Sequence, residues 1–324
     1  MTKILNIKTR EELKFSSLKR GEIHKLHIHI SNSALGTPWK VPIIVARGEK
    51  PGPTLGITAA VHGNELNGLS TIFKLFEEVN LKKLSGQIVA VPVSNIPGYL
   101  NKTRYFSDGQ DLNRVMPGKE KGKPAEIYSH FFTSKIVKHF DYHLDLHTAS
   151  FGKVNSLYIR ADLDNEKTRQ MAMLQNPHII VQKYDEEGTL RSWANSQGIP
   201  SITVEIGNPN TFQHNLIDDT LEGIFNTMRS LKMYPGKVRD LTDDAVICDR
   251  SFWIFSYTGG VVDVLPNLTD MIKKGDLLAK VYNVFGELKE EIRSTHDGVV
   301  IGKNVSPCCE AGDRIVHIGI VGEP

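Results

Sequence analysis

The stretch LGITAAVHGNELNGLSTIFKLFEEV, residues 55–79, decides the fold class. Its first part, LGITAA, is a short apolar and partly β-branched run typical of a buried strand. Beyond Glu65, apolar residues recur at steps of three and four, which predicts an amphipathic helix that begins just after Glu65. These residues are Leu66, Leu69, Ile72, Phe73, Phe76 and Val79. His62 and Glu65 are therefore expected in the loop between a strand and a helix.

Two further predicted strands end in residues that can carry chemistry. In YHLDLHTAS, residues 142–150, apolar and polar residues alternate as in a strand, with His147 at its carboxyl end. The run SITVEIG, residues 201–207, predicts another strand with Glu205 near its end. Ligands of open α/β sheets bind at the carboxyl ends of strands, so these residues are expected to lie near His62 and Glu65.

His62, Glu65 and His147 form a ligand set suited to one zinc ion per chain. Two imidazoles and one carboxylate leave a fourth position open for a water, whose pKa zinc lowers to about 7. Taken singly, each of these residues is more often a turn or core residue, and an HxxE pair is a weak motif. Their combination with strand ends favours a metal-dependent hydrolase.

Composition limits the other function classes. The 324 residues, 40% of them hydrophobic, are enough for a substantial core and for two domains. The formal net charge of +2 gives no electrostatic case for binding nucleic acid. No segment resembles a signal peptide or reaches the roughly 20 apolar residues of a membrane span, so we expect a cytoplasmic protein that does not bind membranes. Three cysteines, Cys248, Cys308 and Cys309, are expected to be reduced.

Residues 22–235 alternate strand-like runs with helical patterns, which predicts an α/β fold with a mixed, largely parallel sheet flanked by helices. Helices are predicted near 66–79, 125–140, 164–175 and 216–231. The character changes near residue 236, where short strands separated by glycine turns begin. We therefore expect a catalytic domain over 1–236, with an N-terminal extension at 1–21, and a smaller all-β domain over 237–324.

The C-terminal part contains an internal near-repeat. GGVV at 259–262 and KKGDLLAKVY at 273–282 are echoed by DGVV at 297–300 and EAGDRIVHIG at 310–319. Two similar halves are thus expected to pair around a pseudo-twofold axis, and the pattern resembles lipoyl/biotinyl domains. Lys289, the lysine nearest the carrier position, lacks the context of a carrier site. A role in packing, gating or oligomerisation is favoured over a covalent carrier.

The segment 95–118, NIPGYLNKTRYFSDGQDLNRVMPG, offers candidate substrate contacts. Arg114 provides a bidentate fork and Asn113 an amide donor, a suitable clamp for a substrate carboxylate. Arg104 can stabilise a carbonyl oxygen that gains negative charge. Alternatively, these arginines pair with Asp108 and Asp111 in a polar loop. The functional interpretation is favoured for Arg114, and both remain open for Arg104.

The motifs HGNE, DLNR, DLH and VEIG, followed by the GGVV…DGVV tail, resemble the succinylglutamate desuccinylase/aspartoacylase family, itself similar to zinc metallocarboxypeptidases. The resemblance implies a zinc carboxypeptidase-like fold and zinc held by the three ligands above. It also implies that Glu205 is the general base, that Asn113 and Arg114 bind the substrate carboxylate, and that Arg104 polarises the carbonyl. Asp145 shares the strand face of His147 and can orient that imidazole, although an ordinary strand-end aspartate explains it equally well.

The function expected from the sequence is a zinc-dependent hydrolase of the amide bond in a small N-acylated, carboxylate-bearing amino acid. A carboxypeptidase acting on short peptides and a non-catalytic small-molecule-binding scaffold are the alternatives. A homo-oligomer is compatible with the sequence. The acyl group and the amine half stay undetermined, because one fold and metal site host several specificities.

Overall fold

Strands and helices alternate through the first two thirds of the chain, as expected. The structure, a computed structural model, describes residues 7–184, 187–239 and 245–322. The helices are α1 Asn67–Glu78, α2 Ile96–Leu100, α3 Pro124–Lys135, α4 Glu166–Leu174, α5 Leu190–Ser196 and α6 His214–Ser230. The first ten strands are β1 Thr9–Arg10, β2 Glu22–Asn32, β3 Pro38–Arg47, β4 Lys50–Ala59, β5 Ser85–Val91, β6 Tyr142–His147, β7 Lys153–Asn155, β8 Leu157–Ala161, β9 Ile179–Gln182 and β10 Ser201–Ile206.

The C-terminal part consists of short strands, as predicted. They are β11 Val246–Phe255, β12 Gly260–Val264, β13 Met271–Ile272, β14 Leu277–Tyr282, β15 Leu288–Arg293, β16 Gly298–Asn304, β17 Cys308–Cys309 and β18 Arg314–Val321. Of the predicted N-terminal extension, residues 1–6 lie outside the described residues. Residues 240–244, just beyond the predicted domain boundary, also lie outside them.

Among the described residues, fourteen strands form one mixed sheet in the order β1-β2-β3-β5-β4-β6-β10-β8-β9-β11-β18-β16-β13, with β7 paired to β16. The central strands β5, β4, β6 and β10 are parallel, whereas β8 runs antiparallel to β10. A second sheet has the order β15-β14-β12-β17. The prediction of a mixed sheet flanked by helices, followed by a β-rich C-terminal part, is confirmed.

The two faces of the central strands have different chemistry. Leu144 and Leu146 of β6 join a buried apolar cluster with residues of α1, α4 and α6. The opposite face of β6 carries His143, Asp145 and His147, all buried. Because side chains alternate along a strand, the apolar core on one face places a polar row on the other.

The near-repeat pairs reciprocally in the C-terminal part. Strand β12 of the first half pairs with β17 of the second, and β16 of the second half pairs with β13 of the first. The expected pairing of two similar halves is therefore present. The likeness to lipoyl domains stays a prediction, as does the boundary at residue 236, because β11 continues the main sheet by pairing in parallel with β9.

Two elements between residues 176 and 200 have no counterpart in the sequence prediction. These are β9 and α5, which are four and seven residues long. Within the described residues, no helix combines the length and apolar character needed to cross a bilayer.

Gly56 in β4 gives a test of the packing beneath the site. A Cβ added there would lie 2.0 Å from Cδ2 of Phe140, so Gly56→Ala must displace a buried aromatic ring. We expect a loss of unfolding free energy of about 1–3 kcal/mol, measured by urea titration. Gly259→Ala is the control, because its Cβ would come no closer than 3.4 Å to another heavy atom. Equal stability of the two variants would contradict the packing described here.

Candidate active site

His62, Glu65 and His147 converge at the carboxyl ends of β4 and β6. The Nδ1 atom of His62 lies 2.8 Å from Oε1 of Glu65, and Nδ1 of His147 lies 3.0 Å from Oε2 of the same carboxylate. The two Nδ1 atoms are 3.2 Å apart, and all three side chains are buried. Ligands about 2.0–2.1 Å from a shared tetrahedral zinc ion lie roughly 3.3 Å from one another. The donor set therefore fits one small divalent cation.

The loop that carries His62 and Glu65 is held by close packing. Asn95 donates its side-chain amide to the carbonyl of Val61, at 3.1 Å. Gly63 approaches the backbone of the next loop so closely that a Cβ there would lie 1.9 Å from the carbonyl carbon of Gly98. The HGNE motif thus needs a glycine at its second position because backbone occupies the space of a side chain.

A carboxylate contacts the far nitrogen of each imidazole. Nε2 of His62 lies 3.1 Å from Oδ1 of Asp111, and Nε2 of His147 lies 2.9 Å from Oδ2 of Asp145. Such partners fix the ring orientation and leave the other nitrogen free to bind a metal. Asp145 thus contacts the imidazole that the sequence analysis suggested it can orient. Asp111 was not identified from the sequence as a partner of His62. The sequence suggested Asp111 only as a possible partner of the nearby arginines.

Arg104 lies between two acids of this cluster, the buried Glu65 and the half-buried Asp111. Its Nε and Nη2 atoms donate to Oδ2 of Asp111 at 3.0 and 2.9 Å, and Nη1 donates to Oε1 of Glu65 and to Oγ of Ser150, both at 3.0 Å. The pairing of Arg104 with Asp111 matches one of the two alternatives considered for this arginine. Asp108 instead accepts from Gln110 and from the backbone of α3.

These contacts set the charges of the cluster. Burial alone would raise the pKa of Glu65, but His62 and His147 hold it well below the usual range of a carboxyl group. Burial likewise opposes the ionised form of Asp111, and the contacts with His62 and Arg104 outweigh it, so this pKa is also well below its usual range. For His147, burial favours the neutral form, yet Asp145 and Glu65 raise its pKa. A metal must therefore displace a proton here, and metal binding weakens as the pH falls.

Glu205 lies in the same cavity, on β10 directly opposite His147 of β6. Its Oε1 is 3.3 Å from Nε of Arg160, and its Oε2 accepts from Nδ2 of Asn155 at 3.4 Å. No sequence signal pointed to these two neighbours, because β7 and β8, which carry Asn155 and Arg160, come near Glu205 only in the folded sheet. Glu205 is largely buried, and it faces the cavity that the metal-ligand candidates line.

Asn113 and Arg114 also line this cavity. They belong to a short 3-10 turn, Leu112–Arg114, whose first residues are held by Asp111 accepting from the backbone of Asn113 at 2.8 Å. The Asn113 side-chain oxygen accepts from the backbone of Leu190 at 2.8 Å. Because that oxygen is occupied, the amide NH₂ group is the part of Asn113 left for a ligand.

The cavity measures about 330 Å³ and is strongly basic. The described residues that line it include two carboxylates, Glu65 and Glu205, and seven cationic side chains. The cations are Arg104, Arg114, Lys153, Lys183, Arg160, Arg191 and Arg314. Burial, and after it the nearby charge of Arg314, lower the pKa of Lys153. Such a cavity suits a ligand with negative charge.

Strands β11 and β18 of the C-terminal part contribute Trp253, Arg314 and His317 to the cavity. The His317 ring stacks on Trp253, with centroids 4.8 Å apart and planes 9° from parallel. The sequence predicted a packing, gating or oligomerisation role for the C-terminal part, but it named none of these residues as part of the site. Alternation along a strand shows which side chains share a face, but it does not show which distant part of the chain that face contacts.

Comparison with known proteins agrees with this arrangement. Residues 51–231, more than half of the chain, match the succinylglutamate desuccinylase/aspartoacylase catalytic domain. The chain belongs to this family. It is also 26% identical over 312 residues to the N-alpha-acetyl-L-2,4-diaminobutyric acid deacetylase of Halomonas elongata, covering 92% of this chain and 91% of that protein.

Solved structures share the fold over nearly the whole chain. The product-bound ectoine utilization protein from Ruegeria pomeroyi has a TM-score of 0.85 at 20% identity, covering 94% of this chain and 97% of that one. The succinylglutamate desuccinylase/aspartoacylase from Rhodobacter sphaeroides has a TM-score of 0.86 at 20% identity, covering 97% and 98%. At these identities, the similarity establishes the fold.

Asp111→Asn tests the carboxylate partner of His62. The neutral amide lacks the negative charge and the second acceptor oxygen with which the carboxylate contacts both His62 and Arg104. The zinc dissociation constant should therefore rise about 10- to 100-fold in a chelator competition assay. Asp108→Asn, in the same loop but bonded to Gln110 and Ala125, should bind zinc like the parent protein. Unchanged zinc affinity of Asp111→Asn would exclude this role for Asp111.

Proposed function

We propose that this protein is a zinc-dependent amidohydrolase that removes the acyl group from a small N-acylated amino acid. The observation that carries the proposal is the convergence of His62, Glu65 and His147 in one basic cavity with Glu205. The family and the deacetylase from Halomonas elongata, named for an N-acyl amino acid, support the same reaction class.

His62, Glu65 and His147 would hold one zinc ion per chain through two ring nitrogens and a carboxylate. When bound, zinc supplies Lewis acidity that polarises the amide carbonyl and makes water a better nucleophile. Glu205 accepts the proton of the attacking water and then donates it to the leaving amine. Arg104 adds positive charge near the carbonyl oxygen, and its contacts with Asp111 and Glu65 hold it at the edge of the ligand cluster.

Asn113 and Arg114 would bind the substrate carboxylate, with the Asn113 amide and the Arg114 guanidinium as donors. The excess of cationic side chains in the cavity supports a carboxylate-bearing substrate. A peptide substrate is disfavoured because Trp253, Arg314 and His317 also line this cavity of about 330 Å³. A non-catalytic scaffold is disfavoured because it needs neither a complete ligand set nor Glu205.

Glu205→Gln should remove turnover while zinc remains bound, because the amide cannot accept the proton and the three ligands are unchanged. We expect a fall in kcat of about 10²- to 10⁴-fold, measured as amine release from N-acetyl, N-succinyl and longer N-acyl amino acids beside short peptides. Glu78→Gln, exposed on α1, is the control. Activity retained by zinc-loaded Glu205→Gln would remove Glu205 from the base role. Turnover of peptides but not acyl amino acids would favour a carboxypeptidase.

Arg114→Ala should mainly weaken substrate binding. Loss of a charge-assisted hydrogen bond of about 1.5–3 kcal/mol corresponds to a KM roughly 10- to 100-fold higher. Arg114→Lys keeps the charge but not the bidentate fork, and should fall between Arg114→Ala and the parent protein. Steady-state kinetics with the best substrate of the panel provide the measurement. An unchanged KM for every carboxylate-bearing substrate would rule out the clamp.

A further inference from the structure

A chain of buried hydrogen bonds runs through the sheet and ends at His147. Oγ of Ser201 lies 2.8 Å from Nδ1 of His143, and Nε2 of His143 lies 2.8 Å from Oγ1 of Thr58. Thr58 donates to Oδ1 of Asp145 at 2.6 Å, and Oδ2 of Asp145 lies 2.9 Å from Nε2 of His147. All five side chains are buried.

The register of three parallel strands builds this chain. Thr58 of β4 is paired with Asp145 of β6, and Ser201 of β10 is paired with His143 of β6. His143, Asp145 and His147 alternate on one face of β6, whereas Leu144 and Leu146 of the same strand pack into the apolar core on the other. One face of β6 is therefore packed through polar side chains, while its other face keeps ordinary apolar packing.

Donors and acceptors give the chain a direction. Asp145 as a carboxylate accepts, so the single hydroxyl proton of Thr58 goes to it, and the Thr58 oxygen accepts from Nε2 of His143. Burial lowers the pKa of His143 to about 4, so its ring is neutral near pH 7, and its Nδ1 accepts from Ser201. Asp145 then accepts Nε2–H of His147, so Nδ1 of His147, 3.0 Å from Oε2 of Glu65, is the nitrogen left to bind a cation in place of its hydrogen bond to Glu65.

We propose that Thr58, His143 and Ser201 are positioning residues that fix Asp145 and, through it, the orientation and tautomer of His147 as a ligand for a divalent cation. This inference rests on the metal-dependent function proposed above. An unpaired buried polar group lowers the stability of the folded protein, so each group in this chain needs a hydrogen-bond partner. The successive hydrogen bonds connect Ser201 to His147, a candidate metal ligand. A chain that served packing alone would be replaceable by apolar side chains without effect on the metal site.

The test compares Thr58→Val with Thr58→Ser. Valine keeps the shape of threonine but removes the hydroxyl, whereas serine keeps the hydroxyl. Zinc affinity is measured by chelator competition, and the geometry of the site by the visible absorption of the cobalt-loaded protein. We expect Thr58→Val to raise the zinc dissociation constant about 10-fold and to alter the cobalt spectrum. Thr58→Ser should restore both toward the parent protein.

Thr220→Val is the matched control. Thr220 is equally buried, but its hydroxyl donates to the carbonyl of Leu216 within α6, at 2.7 Å. This variant should leave zinc affinity and cobalt spectrum unchanged. Ser201→Ala, at the far end of the chain, should weaken zinc binding in the same direction and decides the question if Thr58→Val does not fold.

Zinc affinity of folded Thr58→Val equal to that of the parent protein would overturn the proposal. So would a loss in Thr58→Ser as large as that in Thr58→Val, because packing rather than the hydroxyl would then be responsible. The readouts need no substrate. If zinc binding depends on the Thr58 hydroxyl but the protein hydrolyses no substrate of the panel, the positioning inference stands and the proposed activity is rejected. A parent protein that binds neither metal would overturn both.

Discussion

The structure depends on the alternation of polar and apolar side chains along β6. One face of this strand buries Leu144 and Leu146 in the core. A register shift of one residue would turn both leucines to the opposite, polar face of the sheet. The same alternation fixes where His143, Asp145 and His147 point. The register that buries Leu144 and Leu146 in the core therefore also positions His147, a candidate metal ligand. The sheet thus positions His147, whereas the close packing of their loop positions His62 and Glu65.

Burying charge at the end of this sheet requires compensation, and the chain supplies it through shared partners. Glu65 contacts both imidazoles and Arg104, while Asp111 contacts His62 and the same arginine. Breaking one buried pair would leave another charge unpaired, which usually costs several kcal/mol. The contacts of Arg104 thus serve the integrity of the ligand cluster, and this role coexists with the one proposed at the substrate carbonyl.

The sequence predicted the parts of the molecule that repeat with a period. The strand that ends at His147, the strand that holds Glu205 and the helix after Glu65 all follow from alternation or from apolar spacing. Their common location follows from the rule that strand ends gather in parallel sheets. By contrast, Asp111 lies in an irregular segment, so its contact with His62 depends on how the loop folds back. Arg160 and Asn155 reach Glu205 through β8 and the adjoining β7, whose place beside the parallel strands no local pattern reveals. Strand β9 and helix α5 are too short for a reliable periodic signal.

The C-terminal strands give the cavity part of its wall and one of its cationic side chains, Arg314. Strand β11 extends the main sheet beside β9, and β18 pairs with β11, so both reach the cavity as part of the sheet. They bring Arg314 near Lys153, where burial and the charge of Arg314 both lower the pKa of the lysine. An anion bound in this cavity would reduce the repulsion between Arg314 and Lys153, in keeping with the carboxylate-bearing substrate proposed above. The β-rich part therefore forms part of the cavity wall, which is compatible with the packing or gating role predicted from the sequence.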